Sequence, residues 1–117
     1  MKNYHGIIVD VSQKEQSIFN RLKILSRKID GDWTLYKIEL SPKEKDPIIN
    51  ELQKNLIKGF YFHIYKDNEL IAVFKDKIFK VKTDKSTWKE IIEYGKSINI
   101  LEEQLDFSPC KIKDETY

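Results

Sequence analysis

The chain has 117 residues, of which 40% are hydrophobic and 34% charged, enough apolar material for one packed core and too little length for two. Its net charge of +2 conceals 21 basic and 19 acidic residues, and every basic residue except Arg21 and Arg27 is a lysine, so the balance is weak evidence for a nucleic-acid partner. No apolar run approaches the roughly 20 residues of a membrane helix, and the start MKNYHGIIVDVSQKEQ has no long apolar stretch or small-residue cleavage site, so the expectation is a soluble, cytoplasmic domain with no membrane partner.

The first predicted element is a strand over Tyr4–Val11, whose unbroken Ile7-Ile8-Val9 run suits a central position covered on both faces. Ser12 and Glu15 follow at capping-box spacing. Ile18, Leu22, Leu25 and Ile29 then recur at helical spacing before Gly31, so the pattern predicts a helix ending at that glycine. Trp33–Leu40 alternates as a strand with Tyr36, Ile38 and Leu40 on one face. A second helix begins with Asp46 as cap and Pro47 at the first position, buries Ile48, Ile49, Leu52 and Leu56, and ends at Gly59.

Three strands in meander complete the sheet: Phe60–Tyr65, Leu70–Phe74 and Ile78–Lys82. Leu70–Phe74 is apolar on both faces and belongs inside. Lys80 and Lys82 mark the last strand as an exposed edge that resists pairing with other chains. A third helix starts near Asp84 or Ser86, turns Trp88, Ile91 and Ile92 inward and ends by Gly95. A helical turn over 98–107 is anchored by Leu101, Leu105 and Phe107.

These elements predict a single α/β (or α+β) domain over residues 1–107 and a loose tail over 108–117. The order β-α-β-α-β-β-β-α implies a small mixed five-stranded sheet with helices on one or both faces. By analogy with open parallel sheets, the Asp10–Lys14 turn and the Lys66–Asn68 turn then meet at the ligand-binding end.

The turn after the first strand, Val9-Asp10-Val11-Ser12-Gln13, has no glycine that would let the backbone approach a phosphate, and Asp10 repels anions. The single cysteine, Cys110, excludes an internal disulfide, and no Cys/His pairs are spaced for zinc, so no metal and no cofactor is expected. Cys110 reads as a small, half-buried apolar residue. His5 and His63 are the two histidines; on neighbouring strands they approach each other, and with Asp10 they make the one set of titratable groups suited to a small ligand or a reaction. Tyr61, His63 and Tyr65 share a strand face of amphipathic side chains, which is a binding surface if open and core if a helix covers it.

Lys75, Lys77, Lys80 and Lys82 form a basic edge, but Phe79 alternates with Lys80 and Lys82 and points away from them, so the stacking face of a single-strand binder is missing. Glu102, Glu103, Asp106, Asp114 and Glu115 give the C-terminal segment the opposite charge, suited to screening that edge. The reading that follows is a non-catalytic binding or protein-interaction module whose partner is another protein or a second copy in a homodimer. A nucleic-acid-associated protein using the 75–89 lysines and a ligand-binding domain or enzyme using His5, His63 and Asp10 are the alternatives.

Overall fold

The computed structural model describes residues 3–101 together with Leu105 and Phe107. Its strands are β1 (Tyr4–Val9), β2 (Lys23–Asp30), β3 (Trp33–Leu40), β4 (Tyr61–Lys66), β5 (Glu69–Phe74) and β6 (Ile78–Lys82); its helices are α1 (Lys45–Lys54) and α2 (Lys89–Ser97). All six strands form one sheet in the order β2-β3-β1-β4-β5-β6, antiparallel at every pairing. The fold is mostly sheet. This corrects the expected five-stranded α/β arrangement with parallel crossovers.

The difference arises between Ser12 and Gly31. The long helix expected there is replaced by a 3₁₀ segment over Gln16–Arg21 and by β2, which pairs with β3 as a hairpin. Ser12 does not cap a helix; its hydroxyl donates to the Val9 carbonyl at 2.6 Å. Ile18 and Phe19 are buried, but Leu25 and Ile29 of the same apparent stripe are exposed. Gly31 has φ +62° and opens the two-residue turn between paired Asp30 and Trp33, the position where a type II′ hairpin turn has positive φ. A glycine at positive φ serves a helix end and a hairpin turn equally well, and here it serves the hairpin.

The second helix begins earlier than expected. Ser41 Oγ accepts from Glu44 N at 3.2 Å while Glu44 Oε1 accepts from Ser41 N at 3.1 Å, a reciprocal capping box with Pro42 inside it. Pro47 therefore lies in the first turn of α1 and does not start it. Hydrogen bonding of the Glu44 carboxyl to the Ser41 hydroxyl, and secondarily to the Ser41 backbone N–H, holds that carboxyl below the ordinary glutamate range.

β3 and β4 are both antiparallel to β1 and so parallel to each other, with β1 inserted between them. α1 carries the chain from β3 to β4, and its Ile49 and Leu52 pack with Ile8, Ile38, Phe62 and Ile64 on one face of the sheet. On the other face Trp88 and Ile91 at the start of α2 pack with Tyr65, Leu70, Phe74 and Phe107. Asp84 caps the short turn before α2, accepting from Ser86 N at 3.0 Å, and Trp88 Nε1 donates to the Lys82 carbonyl at 2.9 Å. In the C-terminal segment Leu105 and Phe107 are buried, whereas Leu101 is exposed. Residues 108–117, with Cys110 and the acidic Asp114 and Glu115, lie outside the described residues, as do Glu102, Glu103 and Asp106.

Candidate functional site

Pairing of β1 with β4 sets His5 opposite Tyr65 and Ile7 opposite His63. Both imidazoles therefore meet the same phenol ring: His63 stacks on Tyr65 at 5.6 Å between centroids, and His5 meets it edge-on at 6.1 Å. The group is a core one. Tyr65 is 0% and His63 4% exposed, and Phe107 lies edge-on to His63 at 5.7 Å and to Tyr61 at 5.4 Å. The face carrying Tyr61, His63 and Tyr65 is thus covered by the chain itself. Phe107 is also 5.0 Å from the Trp88 ring, which ties the cover to the turn before α2.

Asp10 is not part of this group. It follows the far end of β1, roughly 16 Å from His5 at the rise of a strand. Its Oδ1 accepts from Val11 N at 2.8 Å and Thr34 N at 3.2 Å, so its carboxylate fixes the backbone where β1 leaves the sheet. The following residues are tied to the end of α1: Lys14 N donates to Asn55 O and Ile57 N to Ser12 O, both at 2.8 Å. Buried Gln13 donates to the Leu52 carbonyl at 3.2 Å and accepts from Asn55 Nδ2 at 3.0 Å. Because β1 and β4 are antiparallel, Asp10–Lys14 and the Lys66–Asn68 turn stand at opposite ends of the sheet, and the ligand-binding end expected for parallel strands is not formed.

His5 instead joins a polar row that crosses the sheet toward β2. Its Nε2 is 3.5 Å from Glu39 Oε2, and Lys23 Nζ is 2.7 Å from Glu39 Oε1. The hydrogen bond from Lys23 holds the Glu39 carboxyl below the ordinary glutamate range against the opposing effect of partial burial, with smaller help from Asn3 and the His5 charge. The same bond raises Lys23 above the usual lysine value.

The lysines at the other end of the sheet do not share one surface. Lys75 Nζ donates to the carbonyl of Lys54 at 2.7 Å, satisfying the last turn of α1. Lys77 Nζ stands 5.0 Å over the Phe79 ring and 5.7 Å over that of Tyr94. Lys80 and Lys82 are exposed on β6, pairing in register with Ile71 and Glu69. Phe79 is buried on the opposite face.

No protein-family model matches the chain, and comparison with curated proteins and with solved structures found no match. Among the described residues, no three of the His, Cys, Asp and Glu side chains gather as a group that could hold a metal ion, and no helix is long and apolar enough to cross a membrane.

A region not singled out from the sequence remains, and it is the β2 edge. Ile24, Leu25 and Ile29 are exposed there, Ile29 at 77%, and among the described residues β2 is the outermost strand at this end of the sheet. The sequence signal for it is Gly31-Asp32, a hairpin dipeptide standing directly before the alternating Trp33–Leu40 strand. The helical spacing of the residues ahead of it hid that signal.

Proposed function

We propose that this chain is a protein-interaction module that works through the β2 edge of its sheet. One observation carries the reading: of the large apolar side chains exposed among the described residues, Ile24, Leu25 and Ile29 stand together on one edge strand. A strand edge offers unpaired backbone donors and acceptors, and a partner strand that pairs with it gains both main-chain hydrogen bonds and contact with alternate side chains. Structural employment of the other candidates supports the same choice. His63 and Tyr65 are packed as core, Asp10 clamps a backbone turn, and Lys75 closes a helix end.

The test is photo-cross-linking in cells from a reactive residue placed at position 29, with position 80 on β6 as the control. Adducts from position 29 and none from position 80 support the module and its edge. Adducts from neither position overturn it.

A further inference from the structure

We infer that the occupant of the β2 edge is β2 of a second copy of this chain, paired antiparallel about a two-fold axis at Arg27. The inference rests on the reading of β2 as the interaction edge and adds the identity of the partner. It comes from the way the strand's residues are distributed between the two faces of the sheet.

The pairing with β3 fixes those faces. Ile24 is opposite Ile38 and Ile29 opposite Thr34, on the face that α1 covers further in. Lys23 is opposite Glu39 and Asp30 opposite Trp33, at alternate positions that belong to the other face. The register shifts between Ile24 and Ser26, so Leu25 is an extra, bulged residue. When two such strands run antiparallel with Arg27 opposite Arg27 of the second copy, each bulge falls opposite a Lys28. Ile29 then meets Ile24 of the second copy on one face, and Asp30 meets Lys23 of the second copy on the other. Residues brought opposite one another lie on the same face in each case, which is the condition for a cross-strand pair.

The pattern is self-complementary, as an isologous two-fold interface requires. Two apolar pairs and two opposite-charge pairs form, and each Lys23 extends its 2.7 Å contact with Glu39 into a three-charge row. The single unfavourable contact is between the two Arg27 guanidiniums on the axis, which makes the dimer weaker than its apolar pairs alone would. The two copies together build one continuous sheet through their β2 edges.

Sedimentation equilibrium and native mass spectrometry on the full chain decide the matter. Wild type is expected to pass from monomer to dimer as its concentration rises. Asp30→Lys and Lys23→Asp each set like charges opposite one another twice, so each alone should weaken association about tenfold. Mixed together, the two variants place lysine against aspartate at both sites and should form a heterodimer of near wild-type affinity. Arg27→Thr should tighten the wild-type dimer. A chain that stays monomeric up to millimolar concentration overturns the second-copy inference, as does a dimer indifferent to both charge variants. Neither result touches the module itself, since position-29 adducts with other proteins would still identify β2 as the interaction edge; their absence would remove both.

Discussion

The two ends of this sheet are built on opposite principles. β4 and β5 are buried almost without interruption on both faces, and their outer neighbour β6 is short, carries Lys80 and Lys82 and is closed off by the capped turn at Asp84. β2 is longer, exposed along nearly its whole length and, among the described residues, bordered by no further strand. Its charged residues Lys23, Arg27, Lys28 and Asp30 are of mixed sign, and Ile29 stands in the open among them. Lysines on an edge repel another strand, whereas an edge carrying both signs and apolar residues selects one. β2 has lysines and a bulge as well, but they stand beside Asp30 and the exposed Ile24, Leu25 and Ile29, which the β6 edge has no equivalent of.

The contrast is open to measurement. The largest effect should come from the closed half: Phe107→Ala removes the ring that packs on Trp88, His63 and Tyr61, and should cost roughly 3–5 kcal/mol in urea unfolding. His63→Ala should follow at roughly 2–3 kcal/mol, since a buried aromatic side chain is deleted from the same stack; a loss near zero would mean that the cover over β4 is loose.

At the centre of the sheet, a Cβ at Gly6 would collide with Ile64 Cδ1 and stand 3.1 Å from the His63 carbonyl oxygen. Gly6→Ala should therefore destabilise by about 1–3 kcal/mol, and Ile64→Val, which lacks that Cδ1, should recover part of the loss. Additive losses in the double variant would show that the two residues do not compete for the same space.

The open half should respond weakly to substitution. Ile29→Ser should change the stability of the monomer by less than about 0.5 kcal/mol, measured at low concentration to keep association out of the reading. The Lys23–Glu39 contact makes this half sensitive to acid. Glu39 has a lowered pKa in the folded chain, so the stability it confers is present above the unfolded value and is lost as pH falls through the lower folded value. Lys23 is raised, so its share is complete below the ordinary lysine value and disappears as pH climbs through the raised one. The stability difference between wild type and Glu39→Gln should therefore shrink in acid; a difference independent of pH would show that the carboxylate contributes nothing by its charge.

The same contrast explains which parts of the fold were legible from sequence. Where a strand is buried, its pattern reports the burial, as in the double-sided apolar run of Leu70–Phe74; Trp33–Leu40 forms the strand its alternation predicts but buries Lys37 on the face expected to be partly wet. Hydrophobic periodicity carries information only when some face is being hidden. β2 hides neither face, so Leu25 and Ile29 continued the helical spacing of Ile18 and Leu22 with no helix to serve. That His5 and His63 both meet the Tyr65 ring follows from β1 and β4 being neighbours. That Phe107 covers His63 was not legible, since the packing of a segment so far along the chain has no local signature.

The insertion of β1 between β3 and β4 also bears on how the chain is made. The first of these strands in chain order lies at the middle of the sheet, and its second neighbour is not synthesised until Tyr61–Lys66. During translation β1 can pair with β3 while its other edge, with Gly6 awaiting Ile64, stays bare. A nascent chain still lacking β4 thus exposes two unfinished edges, β1 and β2. Completion closes the first of them and leaves the second for whatever the protein meets after release.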